Sequence, residues 1–296
     1  MKIGYIGLGK MGRGQVLRLA EAGHEVVAWN RSKGVYSEIE KAGIKTAETL
    51  EELVGSLSAP RTLWIMVTAS ALDEILTKLS PLLATGDLII DGGNSFYKDT
   101  LRRHRELREK GILFADVGVS GGPAGARDGA CLMIGSEKEV FEKMQPVFKD
   151  LSYQGNCFEH VGKVGSGHFV KMVHNGIEYG MMQSIAEGFA ILKKSDFELD
   201  LKKVAGIYNC RSVIESRLIG WLKDGFEKYG EDLNEVSGVV KHTGEGEWTV
   251  EAAKELGVPA PAISEALQFR KDSGKAPSYE GKILSALRNM FGGHGI

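Results

Sequence analysis

One stretch of the chain carries four side chains suited to proton transfer and to holding a polar substrate. In Gly165-Ser166-Gly167-His168-Phe169-Val170-Lys171-Met172-Val173-His174-Asn175-Gly176-Ile177-Glu178-Tyr179, the residues Lys171, His174, Asn175 and Glu178 recur at i, i+3, i+4 and i+7. On a helix that spacing puts them on one face. The neighbouring face, Val170, Val173, Ile177 and Met181, is apolar and is expected to be buried. A lysine and a glutamate beside an apolar stripe are costly unless they are used or paired. One use is acid–base catalysis. A free lysine, with a pKa of about 10.4, is a poor base at neutral pH, and burial beside polar groups tunes such a group toward ~7–8. The alternative is a structural Lys171–Glu178 ion pair with His174 as a satisfied core residue.

Two glycine-rich segments follow predicted strands. Asp91-Gly92-Gly93-Asn94-Ser95 presents Asn94, which can both donate and accept hydrogen bonds. Val119-Ser120-Gly121-Gly122-Pro123 presents a hydroxyl and consecutive backbone N–H groups suited to an anion such as a carboxylate. Each, taken alone, is also compatible with a tight structural turn.

A third loop points to a dinucleotide. Gly7-Leu8-Gly9-Lys10-Met11-Gly12 lies between a predicted strand and a predicted helix, the context that the G-x-G-x-x-G fingerprint requires. The first glycine serves the turn, the second admits the pyrophosphate and the third lets helix and strand pack, with the phosphates at the helix N-terminus. The second strand ends in Trp29-Asn30-Arg31-Ser32, with no carboxylate for a ribose hydroxyl and with Arg31 available for a 2′-phosphate. That favours NADP, with NAD also possible. The alternative is that Arg31 stacks on adenine or lies in solvent.

The elements that must position these residues alternate in type. Lys2–Leu8, Glu25–Asn30, Thr62–Val67, Asp87–Asp91, Leu113–Val119 and Ala130–Ile134 read as strands, with helices over Lys10–Ala22, Ala71–Leu83 and Tyr97–Lys110. Repeated β-α units predict a parallel sheet with helices on both faces. From Gly162 the pattern is helical only: Ser166–Lys194, Leu201–Tyr208, Val213–Glu227, Thr249–Leu256, Ala262–Arg270 and Lys282–Phe291. The fold class is therefore an α/β Rossmann-type N-terminal domain over 1–162, then an all-α C-terminal domain over 163–296.

Bulk properties exclude other classes. The 296 residues carry a net charge of −2, so no nucleic-acid or membrane partner is expected. No signal segment or apolar run of membrane-spanning length is read, and a cytoplasmic location is expected. Cys131, Cys157 and Cys210 are far apart in the sequence and suggest neither a disulfide framework nor a zinc site. No acidic cluster with divalent-metal spacing is read near the site. The basic run Arg102-Arg103-His104-Arg105 is expected to be a solvated helix face.

The segments DGGNS (91–95), VSGGPAGARDGA (119–130) and GSGHFVKMVHNGIEYGMMQ (165–183) together resemble the 6-phosphogluconate dehydrogenases, in a short form, within the β-hydroxyacid dehydrogenase superfamily. The resemblance extends from the glycine loop to Arg288 and His294. It implies oxidation of 6-phosphogluconate at C3 and loss of CO2 to give ribulose 5-phosphate, a step of the pentose phosphate pathway and gluconate metabolism. It implies Lys171 as general base and Glu178 as the acid that protonates the enediol. Asn94, Ser120, Gly121, Gly122, His174, Asn175, Tyr179, Arg288 and His294 would bind substrate. Gly7, Leu8, Gly9, Lys10, Met11, Gly12, Asn30, Arg31, Ser32, Val67, Thr68, Ala69 and Asn94 would bind the dinucleotide.

The chain also departs from the long forms. They carry a phosphate-binding lysine where Thr243 stands here, and a second arginine without a clear counterpart near Tyr279; Lys241 or Arg270 are the substitutes available. By the resemblance, Arg288 and His294 would reach a neighbour's site in a homodimer or homotetramer with shared active sites. The alternative activity is that of a β-hydroxyacid dehydrogenase acting on a small unphosphorylated 3-hydroxy acid.

Overall fold

The structure, a computed structural model, describes residues 1–241 and 244–296. The chain forms two compact units, Met1–Lys171 and Met172–Ile296. Among the described residues the first unit holds eight strands: β1 (Lys2–Ile6), β2 (Glu25–Trp29), β3 (Lys45–Thr46), β4 (Thr62–Ile65), β5 (Leu88–Asp91), β6 (Leu113–Ser120), β7 (Cys131–Gly135) and β8 (Phe158–Gly162). They form one sheet in the order β3-β2-β1-β4-β5-β6-β7-β8. The central strands are continuous apolar runs because both faces are covered. Ile3, Tyr5, Trp64 and Ile90 belong to one core, and Ile6, Leu63, Ile65 and Ile89 to the other.

The sheet is not wholly parallel, which corrects the expectation. β6 and β7 pair antiparallel, while every other pairing is parallel. The reason is the connection: residues 121–130 hold a single short helix, Gly122–Asp128, and a parallel crossover needs a dozen or more residues. The edge strand β8 escaped the sequence reading because Phe158-Glu159-His160-Val161-Gly162 is half-exposed and carries little apolar pattern. The basic helix also needs correction. Arg103 is only 2% exposed, and its Nε and Nη2 donate to the two Asp73 carboxylate oxygens at 2.7 and 3.2 Å.

The long helix, Ser166–Lys194, starts in the first unit and continues in the second. The second unit adds helices Leu201–Tyr208, Arg217–Tyr229, Glu245–Glu255, Pro261–Asp272 and Tyr279–Gly292, and no strand follows Gly162 among the described residues. Its core gathers Met182, Ala186, Phe189, Leu222, Phe226, Ile283 and Leu287. The helix expected from Val213 begins only at Arg217, because the Ser216 hydroxyl caps it by accepting from the Ile219 N–H at 3.2 Å; Val213 and Ile214 stay exposed.

The expected burial of the long helix's apolar stripe is overturned. Val170 and Val173 are only half-buried, and Ile177 and Met181 are 52% and 44% exposed. The buried side is Met172, Tyr179, Met182, Ala186 and Phe189, one step around the helix.

Candidate active site

In the first unit, the loops after β1, β4 and β5 come together at the carboxyl ends of their strands. Gly7 takes a φ of +102°, and a Cβ there would lie 2.3 Å from the Met66 carbonyl oxygen. A Cβ on Gly12 would lie 1.9 Å from the Gly7 carbonyl oxygen, so the helix Lys10–Glu21 packs directly on the turn. A Cβ on Gly9, by contrast, would meet nothing within 4 Å. The three glycines thus turn, open and close the loop in the order a pyrophosphate cradle requires, with Leu8, Lys10 and Met11 between them. Asn30 ties the second loop to the first: its Oδ1 accepts from the Leu8 N–H at 2.9 Å, and its Nδ2 donates to the Ser32 carbonyl at 2.7 Å. Arg31 is exposed beside them. Val67 lies against Gly7, and Thr68 immediately precedes the helix that begins at Ala69, its hydroxyl 3.2 Å from that of Ser70. Among the described residues these groups fit a dinucleotide.

The buried Asp91 holds the next loop. Its Oδ1 accepts from the Gly93 N–H at 3.0 Å and its Oδ2 from the Ser95 hydroxyl at 2.7 Å, which leaves Asn94 exposed at the tip. Ser120 ends β6, and Gly121 and Gly122 follow with φ of +141° and +63°.

Lys171 rests on β6. A Cβ on Gly118 would lie 2.5 Å from the Lys171 Cβ, so only a glycine admits the helix there. The start of the long helix is fixed by the fully buried Asp116, whose Oδ1 and Oδ2 accept from the Gly165 and His168 N–H groups at 2.6 and 2.7 Å. Burial raises the Asp116 pKa, opposed by His168 and by these two N–H groups. The His168 Nδ1 lies 2.7 Å from the Thr100 hydroxyl.

In the second unit the remaining polar residues of the long helix meet Glu245–Glu255 and Pro261–Asp272. The His174 Nδ1 lies 2.9 Å from the Asn175 Oδ1 and 4.0 Å from the Glu178 carboxylate, and the Asn175 Nδ2 donates to Glu245 at 3.3 Å. Tyr179 is buried; a Cβ on Gly246 would lie 2.4 Å from its ring. The Arg270 guanidinium lies 3.4 Å above that ring. Burial lowers the Arg270 pKa and the like charge of Arg288 adds to it, against Tyr179 and Glu178. Burial likewise lowers that of Arg288, against Tyr179, Glu245 and Glu178.

Two further placements bear on the expectations. Arg288, expected to serve a neighbour, stands in its own chain's cluster. His294 is half-exposed at the end of Tyr279–Gly292, where its carbonyl accepts from the Asn289 Nδ2 at 2.5 Å. Sequence reasoning did not single out Glu245 or Asp116. The glycines flanking Glu245 are the signal that was available. Of the two substitutes, Arg270 is 3% exposed and in the cluster, while Lys241 is exposed. Thr243 lies outside the described residues.

A family model described as the NAD binding domain of 6-phosphogluconate dehydrogenase matches residues 2–162, and one described as the 6-phosphogluconate dehydrogenase C-terminal domain matches 167–281. The chain belongs to the 6-phosphogluconate dehydrogenase family. It is an oxidoreductase of that family.

It is similar to a Bacillus subtilis (strain 168) protein provisionally named 6-phosphogluconate dehydrogenase YqeC, at 43% identity over 294 residues that cover 99% of this chain and 98% of the relative. It is 38% identical over 297 residues to a Haloferax volcanii protein named 6-phosphogluconate dehydrogenase, NAD(+)-dependent, decarboxylating, covering 100% of this chain and 98% of that one. Among solved structures it is similar to the Plasmodium falciparum 6-phosphogluconate dehydrogenase, determined in its apo form and in complex with NADP+ and with 6-phosphogluconate. The TM-score is 0.84 at 32% identity, over 92% of this chain but only 62% of that longer one.

Proposed function

We propose that this family member oxidises 6-phosphogluconate at C3 and releases CO2, giving ribulose 5-phosphate in the pentose phosphate pathway, in the cytoplasm. The observation that carries the reading is the pair Arg270 and Arg288 around Tyr179. Two buried guanidinium groups whose charges are disfavoured by burial and by each other are stabilised by an anion with several acceptor oxygens, as a phosphate has. A small unphosphorylated acid gives them no such partner.

In this reading the domains are 1–162 for the dinucleotide and 163–296 for substrate and assembly. The glycine loop Gly7 to Gly12, Asn30, Arg31, Ser32, Val67, Thr68, Ala69 and Asn94 hold the dinucleotide. The bound nicotinamide supplies the hydride acceptor. The Lys171 Nζ takes the C3 hydroxyl proton as C3 becomes a carbonyl, and its ammonium then faces the carbonyl oxygen. The resulting β-keto acid loses CO2, and the Glu178 carboxyl gives its proton to the carbon that CO2 left. Asn94, Ser120, Gly121 and Gly122 hold the carboxylate end. His174 and Asn175 hold the hydroxyls, and Tyr179, Arg288, His294 and Arg270 hold the phosphate.

Cofactor choice follows from the end of β2. With Arg31 exposed and no carboxylate at the strand end, NADP is preferred over NAD. We also propose a homodimer or homotetramer. Its support is the exposed stripe of Ile177, Met181 and Ile191 on one long helix, an apolar surface of the kind that marks an interaction site. No helix among the described residues is long and apolar enough to cross a membrane.

The test is a comparison of 6-phosphogluconate, gluconate and 3-hydroxyisobutyrate, each with NADP and with NAD. Turnover of the phosphorylated acid well above the other two is expected. Equal or better turnover of an unphosphorylated acid would overturn the reading.

A further inference from the structure

We propose that Cys131 and Cys157 form a thiol pair that a peroxide closes to a disulfide beside Ser120 and Lys171. The two cysteines are remote in sequence but neighbours in the sheet. Leu132 of β7 pairs with Phe158 of β8, and the Leu132 N–H donates to the Cys157 carbonyl at 2.9 Å. The residues one step earlier on each chain are Cys131 and Cys157, so they lie across from one another. Adjacent strands run ~4.8 Å apart, inside the ~4.4–6.8 Å range of Cα separations that a disulfide spans. Leu132 and Phe158 both pack into the same core; strand alternation then turns the two preceding residues to the opposite face together. Cys131 is exposed and Cys157 half-exposed. Cys157 stands just ahead of the first residue of β8, where the small backbone shift needed for a bond is least costly.

The pair also lies against the proposed site. Cys131 is the cross-strand partner of Ser120, and on that same β6–β7 ladder Gly118, two residues before Ser120, carries Lys171. Burial raises the Cys131 pKa and Cys157 adds to it, while Lys171 opposes, so the thiolate fraction, and with it the oxidation rate, rises with pH. In the reaction one thiolate attacks the peroxide O–O bond, giving a sulfenic acid and a hydroxide that takes up the proton the thiol lost and leaves as water. The second thiol displaces water from that sulfur. Two thiols and hydrogen peroxide become one disulfide and two waters, and the sulfurs together give up two electrons. Tying β7 to β8 fixes the strand opposite Ser120 and slows turnover. That consequence for turnover rests on the proposed function; formation of the bond does not.

The experiment treats the full chain with hydrogen peroxide and counts free thiols. Wild type should fall from three thiols to one, Cys210 remaining, while a non-reducing gel still shows a single chain. Tryptic peptides containing residues 131 and 157 should be joined and two hydrogens lighter than their sum. Dithiothreitol should restore three thiols and the rate with 6-phosphogluconate. Cys157→Ser should keep its activity and resist inactivation. No joined peptide, Cys131 oxidised alone, or disulfides only between chains would overturn the pair. A joined peptide with an unchanged rate would overturn its effect on the site. A joined peptide in a protein that never turns over 6-phosphogluconate would instead count against the proposed function alone.

Discussion

Lys171 and Glu178 belong to one helix, yet their surroundings are built by different physics. Around Lys171 the work is done by volume. Gly118 lets the helix touch the strand, and the buried carboxylate of Asp116 is satisfied by two backbone N–H groups. Around Glu178 the work is done by charge: two buried arginines, an aromatic ring, and Glu245 reaching Asn175. The first setting has little room for added atoms. The second carries an electrostatic cost, because burial lowers the pKa of both arginines, and in the proposed function a substrate phosphate offsets it.

Substitutions at Lys171 and around Glu178 should have different consequences. Lys171→Ala should lower turnover by ~10²–10⁴-fold while cofactor binding, followed by fluorescence, stays within twofold. Arg270→Met should raise the KM for 6-phosphogluconate by ~10–100-fold, the loss of a charge-assisted contact worth ~1.5–3 kcal/mol. It should leave the urea midpoint no lower, since a repelled buried cation is gone. A fall in stability with an unchanged KM would make Arg270 a structural residue.

Smaller effects sharpen the volume side. Gly118→Ala should cost ~1–3 kcal/mol in urea unfolding, because the added carbon overlaps Lys171. Gly180→Ala, on the helix that carries Lys171 and with nothing within 4 Å of an added Cβ, should gain ~0.5–1 kcal/mol. Equal effects at the two glycines would remove the distinction. The smallest effect concerns pH. The folded-state pKa of Asp116 is raised by burial, so its contribution is fully present below the usual value of about 3.9 and is lost as pH rises through the folded value. The stability of wild type relative to Asp116→Asn should therefore be greatest in acid and decline across that window. A difference that grows with pH would contradict it.

Six of the eight strands among the described residues were legible because they are short apolar runs punctuated by glycine; β3 is only two residues long and β8 is half-exposed, so neither carried that signal. The long helix was legible because its pattern is unbroken from Ser166 to Lys194. Glycine spacing pointed to the dinucleotide loop, where Gly7, Gly9 and Gly12 each meet a different environment. What the sequence hid were facts of tertiary contact. The reversal at β7 depends on the length of residues 121–130. The exposure of Ile177 and Met181 depends on which helix face the second unit covers. Arg270 and Glu245 are remote from Tyr179 in the chain, and only packing joins them to it. Cys131 and Cys157 became neighbours only through the register of β7 with β8.

The central claim is tested most directly by stoichiometry: reduced nicotinamide followed by its near-ultraviolet absorbance, with released CO2 trapped, using 6-phosphogluconate as substrate. The account predicts one CO2 for each reduced cofactor, with both lost in Lys171→Ala. Reduced cofactor without CO2, or no reduction with either NADP or NAD, would contradict it.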